Sequence, residues 1–177
     1  ELAPVFEEAN LAIDHNLTLN SGIFTTGNNL ITRNNTGGVL TGPANSIPYT
    51  AGASNLYNNS YIATTLADGS PLTLTLPFDG SKGFRIKNVG NSDTYFPVGA
   101  DYISASRMMI NNTSTTDDFT VVVGKGDLLN TPKPRVNRIW YVSAAGGVNI
   151  RANMRLFFTK RSWSANAFPY VQDEIET

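Results

Sequence analysis

Along most of this chain, apolar side chains alternate with small polar ones, and Gly, Pro or Asn interrupts the alternation before any run grows long. The stretch Leu17-Thr-Leu-Asn-Ser-Gly-Ile-Phe-Thr-Thr-Gly-Asn-Asn-Leu-Ile31 shows both traits. A period of two places successive side chains on opposite faces of a strand. Gly22 and Gly27-Asn28-Asn29 punctuate it as turns. The same grammar recurs to Val136-Asn-Arg-Ile-Trp-Tyr-Val142 and Asn153-Met-Arg-Leu-Phe-Phe158. Such a chain is confined to short strands joined by turns.

Composition agrees. Charged residues make up only 15% of the 177, too few to dress the outer faces of long solvated helices, while 15 Gly and 9 Pro favour turns. A hydrophobic content of 41% supports a real core. With no Cys, disulfides, thiolate metal sites and Cys nucleophiles are excluded. No apolar run approaches the ~18–20 residues of a membrane-spanning helix. The Glu-rich start lacks the basic and apolar regions of a signal peptide, which reads as a mature chain whose leader has been removed.

Strands are expected at 16–20, 22–26 and 29–33, then at 61–66, 72–76, 84–89, 107–110, 119–123, 139–142 and 152–159, with 39–60 as a long connection. Leu72-Thr-Leu-Thr-Leu76 is the most regular alternation, and it places Leu72, Leu74 and Leu76 together in the core. Trp140, mid-strand beside Ile139 and Val142, is assigned to the core as well. Turn spacing fits an all-β fold: an antiparallel β-sandwich of Greek-key or jelly-roll type over residues 16–162, with extended arms at 1–15 and 163–177. No internal repeat is evident.

Catalytic chemistry is thin. His15 is the single histidine, and no nucleophile motif accompanies it. Asp93, Asp101, Asp117 and Asp118 are hard oxygen ligands without a recognised calcium spacing. Those residues, with Asp79 and Asp127, sit in turn-like contexts that suggest no glycosidase pair. Neither an enzyme nor a cofactor is expected. Tyr49, Tyr57, Tyr61, Tyr95, Tyr102, Trp163 and Tyr170 are candidates to line a sugar or receptor surface, with core packing the alternative.

Charge is segregated, although the net value is only −1, which argues against a nucleic-acid partner. Residues 1–32 carry Glu1, Glu7, Glu8 and Asp14 without a cation, and the tail adds Asp173, Glu174 and Glu176. Between Leu128 and Gln172 stand seven cations and no carboxylate. Two readings follow. Acidic and basic strands pair within one sheet, or the acidic ends of one copy meet the basic body of another.

The segment from Leu17 to Ile31, followed by Gly37-Gly38-Val39, resembles segments of large secreted surface proteins of Bacteroidota. So does the ordered series Tyr95-Phe-Pro-Val-Gly99, Arg107-Met-Met-Ile110, Asp118-Phe-Thr-Val-Val122, Val136-Asn-Arg-Ile-Trp140 and Ala152-Asn-Met-Arg-Leu156. The resemblance implies an extracellular β-rich module of adhesins or envelope proteins exported by type IX secretion, and it implies no catalytic residues. The chain departs from it in being short and in lacking a sorting domain after Trp163.

The expected function is therefore that of a non-enzymatic, extracellular or cell-surface subunit that self-assembles into a filament or surface layer and contributes adhesion. Strand donation from an arm would insert Leu2, Val5, Leu11 and Ile13, or Phe168, Tyr170 and Val171. Arg135, Arg138, Arg151 and Arg155 would form the basic acceptor. The expected partners are copies of the chain, with a surface glycan or receptor in addition. Alternatives are a phage head-decoration or tail-fibre protein of the virion, and a carbohydrate-binding module.

Overall fold

The computed structural model describes residues 5–6, 9–19, 23–34, 40–41, 61–100, 106–124, 138–146, 150–160 and 171–176, and all regular structure among them is β. The strands are β1 (Val5–Phe6), β2 (Leu11–Ile13), β3 (Leu17–Thr18), β4 (Ile23–Thr25), β5 (Leu30–Arg33), β6 (Leu40–Thr41), β7 (Tyr61–Ala63) and β8 (Gly83–Val89). They continue with β9 (Thr94–Phe96), β10 (Val98–Gly99), β11 (Met108–Asn112), β12 (Asp117–Gly124), β13 (Ile139–Ala144), β14 (Ala152–Lys160) and β15 (Val171–Glu176).

The first half is wound as a coil. β1, β2 and β3 enter three different sheets, β4, β5 and β6 stack on them in the same order, and β7 and β8 begin a third pass. Every one of these pairings is parallel: β1–β4–β7–β10, β2–β5–β8 and β3–β6. The strands expected at 16–33 occur nearly where the sequence places them. The expected antiparallel pairing does not. Gly22 lies outside the described residues; Gly27 lies between β4 and β5, strands of different sheets, so the segment from Thr26 to Asn29 is a corner of the coil and not a hairpin. Gly27 takes φ +55° there, and Asn29 N–H donates to Thr26 O at 3.1 Å. At the same corner the Asn10 side-chain oxygen of the pass before accepts Leu30 N–H at 2.8 Å.

Beyond β8 the pairings are antiparallel, apart from the parallel β7–β10 pair. β12 and β13 extend the sheet to the order β13-β12-β8-β5-β2, and β15-β14-β11-β9 forms another. β12 and β13 pair in unbroken register from Phe119 opposite Ala144 to Gly124 opposite Ile139. Between β8 and β12 the register slips, Asp117 facing Val89 and Phe119 facing Ile86. Asn88 absorbs the slip at φ +56°, a conformation Asn tolerates better than most residues, and its N–H is held by the Asp118 carboxylate at 3.0 Å.

One apolar cluster joins these sheets. Ile62 and Val98 come from the first, Ile31, Phe84, Ile86 and Val121 from the second, and Phe96, Met108 and Ile110 from the antiparallel fourth, all fully buried. Phe84 and Phe96 meet edge to face, centroids 6.1 Å apart. β7 is tied to this core by polar atoms. The Thr64 hydroxyl accepts Val123 N–H at 2.8 Å and lies 3.0 Å from Val123 O, while Thr25 bonds Thr65 O at 2.9 Å. Gly83 opens β8 with φ +101°. A Cβ there would lie 2.4 Å from Val122 Cγ2, so no larger residue fits that approach.

Two core assignments need correction. Leu72–Leu76 belongs to no sheet, and its neighbour Pro71 makes only an isolated bridge with Thr65. Leu76 is 68% exposed, whereas Leu72 and Leu74 are half-buried. Proline has no N–H to donate, so Pro71 and Pro77 deprive the segment of a ladder bond at each end. Trp140 is half-buried: it packs against the core cluster and its indole N–H donates to Ser106 O at 3.0 Å.

Candidate interaction surfaces

Three surfaces gather the residues that the sequence singles out. The first is the outer end of the coil. β1, β2 and β3 are each the terminal strand of their sheet in the order of described strands. Val5 pairs with Phe24, and Leu11 and Ile13 pair with Ile31 and Arg33. Within the chain, then, the amino-terminal segment is already built into its own sheets. Leu11 and Ile13 are half-buried against the core and Ala12 is exposed, as alternation along β2 requires. Asp14 accepts a hydrogen bond from the Asn34 side-chain amide of the next pass, and Asn34 N–H reaches Ile13 O at 2.9 Å. His15 is exposed at this end.

The second surface is the edge formed by β14 and β15. Their register sets Arg155 opposite Glu176, Phe157 opposite Glu174, Phe158 opposite Asp173 and Lys160 opposite Val171. An acidic strand thus lies on a basic one inside a single copy, which is the first of the two arrangements the charge pattern allows. The Arg155 side chain forms an ion pair with Asp93, and Asp93 also accepts from Asn111 at 3.1 Å. Arg138, which precedes β13 in a different sheet, donates to Ser106 Oγ at 3.1 Å, and Arg151 is exposed. The three described arginines, Arg138, Arg151 and Arg155, therefore do not share one sheet. Leu2, Arg135, Phe168 and Tyr170 lie outside the described residues, and Val171 is described by its pairing alone.

The third surface is the outer face of the β13-β12-β8 sheet and the segment that crosses it. Inward side chains of β13 are Trp140, Val142 and Ala144. On the other face Arg85, Thr120 and Ser143 stand in register across three strands. Arg85 donates to Thr120 Oγ1 and to Gly80 O, both at 2.9 Å. Phe78 meets the Tyr141 ring at 6.3 Å, and Lys82 reaches Thr73 O at 3.3 Å. These contacts hold residues 71–82 across the sheet.

Several described carboxylates accept hydrogen bonds from nearby backbone N–H groups. Asp117 accepts Gly146 N–H through both oxygens at 2.9 Å and Asp118 N–H at 2.7 Å. The Ser70 hydroxyl and N–H hold Asp68 below the usual carboxylate range, and the Ser81 N–H and hydroxyl do the same for Asp79. No group of three or more His, Cys, Asp or Glu residues spaced to hold a metal occurs among the described residues. Tyr61 and Tyr95 are buried, which removes both from the aromatic surface set; Tyr49, Tyr57, Tyr102, Trp163 and Tyr170 lie outside the described residues.

Sequence reasoning missed the buried polar joints. Thr25, Thr64 and Asn112 read as strand or turn residues, yet each is essentially fully buried. Asn112 satisfies both ends of its amide, donating to Val89 O and Thr115 O and accepting from Ser114 N–H and Oγ. No local signal separates such a residue from its exposed neighbours, because the partners lie many positions away. No protein family, curated protein or solved structure matches the chain.

Proposed function

We propose that this chain is a non-enzymatic structural subunit of an extracellular filament or surface layer, and that copies associate by pairing strand edges. The observation that carries the reading is the coil end, where β1, β2 and β3 are together the last strands of three sheets. A terminal strand is a template on which another strand can pair. The first two of those sheets terminate on their other side at β10 and β13. Docking the first coil of one copy on β10 and β13 of the next is a head-to-tail contact, which propagates into a filament wherever its rotation does not close a ring.

Electrostatics favours the same pairing. Asp14 follows β2, and no cation occurs before Arg33, whereas Arg135 and Arg138 precede β13. Charge contributes mainly encounter rate and register, and the ladder and apolar side chains contribute most of the affinity. The sheets β13-β12-β8 and β14-β11-β9, which share Phe84 and Phe96, give the subunit a sandwich-like half on which the coil is mounted. Strand donation then amounts to exchanging a coil already formed in one copy for the equivalent contact in another. Adhesion would come from repetition of the subunit along the assembly.

The test is sedimentation velocity and negative-stain microscopy of the intact chain over a wide concentration range, beside Ala12→Lys. An exposed lysine on an edge strand disfavours edge pairing with little effect on the fold. Concentration-dependent polymers that Ala12→Lys abolishes support the reading. An intact chain that remains monomeric at high concentration overturns it.

A further inference from the structure

Residues Pro71-Leu-Thr-Leu-Thr-Leu-Pro77 read the same in both directions, with Leu74 at the centre. This is the segment that the alternation marks most strongly as a strand and that the fold leaves out of its sheets. Burial alternates along it, Leu72 and Leu74 half-buried between exposed Pro71, Thr73 and Thr75, as in an extended chain. Its backbone contacts include the isolated bridge of Pro71 with Thr65 and Lys82 Nζ on Thr73 O at 3.3 Å. Leu76 is the exposed large hydrophobic among the described residues.

We propose that this segment is a homodimer contact: it pairs antiparallel with the same segment of a second copy about a two-fold axis at Leu74. The inference rests on the reading of the chain as a self-associating subunit, and it assigns that subunit a second surface distinct from the coil end. A two-fold contact requires a surface that complements itself. Here Leu72 falls opposite Leu76, Thr73 opposite Thr75, and Pro71 opposite Pro77. Leu and Thr stripes align face by face. Gly69 to Phe78 carries no charged side chain, and the nearest carboxylates, Asp68 and Asp79, are bonded to Ser70 and Ser81; the charge beside the contact is the Lys82 ammonium on Thr73 O. The prolines end the ladder at both sides, which limits the contact to two copies and opposes growth into a wider sheet.

Five paired residues bury far less than the ~1,000 Å² typical of a stable interface. The contact is therefore weak alone and gains strength where the coil-end contact already holds copies together. Head-to-tail rows joined by two-fold contacts would form a layer.

The natural absence of cysteine gives a direct test. Thr73→Cys and Thr75→Cys are prepared as separate proteins, both exposed positions, and oxidised mildly alone and mixed. In the proposed register the two thiols face each other across strands at ~4.5–5.5 Å between Cα atoms, within disulfide reach. Each thiol is diagonal to its own copy at ~7–8 Å or more, outside that reach. Disulfide dimer should form on the order of tenfold faster in the mixture than in either protein alone. Equal rates, or faster coupling of Thr73→Cys with itself, overturn the two-fold register. If the mixture shows no excess while the intact chain still polymerises, this contact is wrong and the coil-end reading stands. If the mixture shows no excess and the intact chain stays monomeric, both fail.

Discussion

The Tyr95 hydroxyl is buried and has no hydrogen-bond partner, an arrangement that costs about 1–3 kcal/mol for a neutral polar group. Burial pushes the phenol pKa upward, and the charge of Arg107 opposes the shift only in part. In the unfolded chain the phenol ionises near its ordinary value of 10.0. The folded phenol holds its proton to higher pH. Its contribution is thus complete below pH 10 and is lost as pH rises beyond it, because the unfolded state then binds fewer protons. Tyr95→Phe should raise stability by about 1–2 kcal/mol and flatten the alkaline fall, read from urea midpoints between pH 8 and 11. A loss of stability would show that the hydroxyl has a partner in solution. At the same scale, Leu76→Ser should change stability by less than about 0.5 kcal/mol, whereas Trp140→Ala should cost about 2–3 kcal/mol, below the range for a fully buried aromatic. Alternation in the sequence places both residues on apolar stripes. It cannot say whether anything covers the stripe.

Among the elements, β12 and β13 are legible because alternation and the antiparallel pairing of sequence neighbours agree. The parallel strands are located but mispaired by the same logic. A two- or three-residue strand carries too little pattern to name its partner, and its partner lies a full pass away. Joints between passes are made by side chains instead, and Thr64 is the clearest. It links the end of β7 to Val123 in β12 and, through its N–H, to Gly99 at 2.9 Å. Thr64→Val keeps the shape but orphans the Val123 N–H, so it should cost about 2–3 kcal/mol. Thr64→Ser retains the hydroxyl and should cost about 1 kcal/mol or less. Equal losses for the two variants in thermal and urea unfolding would mean that packing, not the hydrogen bond, makes this joint.

For the molecule as a whole, the winding stayed hidden because its passes differ in length. Partner strands lie 19 residues apart from Val5 to Phe24, 20 from Leu11 to Ile31, 23 from Leu17 to Leu40, 38 from Ile23 to Tyr61 and 53 from Ile31 to Phe84. A repeat of fixed length announces itself, but a coil with growing loops does not. Stacked passes share contacts chiefly with neighbours, so stability should grade along the winding axis. The first pass has ladder partners on one side only, and β1 and β3 are two residues long. β8 and β12 are paired on both sides over the most deeply buried side chains, Phe84, Ile86, Phe119 and Val121. Hydrogen exchange of the monomer should therefore show amides of β1 and β3 fastest among the strands, β2 and β5 intermediate, and β8 and β12 slowest, near the global unfolding limit. Assembly through the coil end should slow β1, β2 and β3 selectively while leaving β8 and β12 unchanged. Uniform protection across all strands in the monomer would mean that the coil and the antiparallel half unfold as one unit. If assembled material leaves β1–β3 as fast as the monomer does, those edges are not where copies meet.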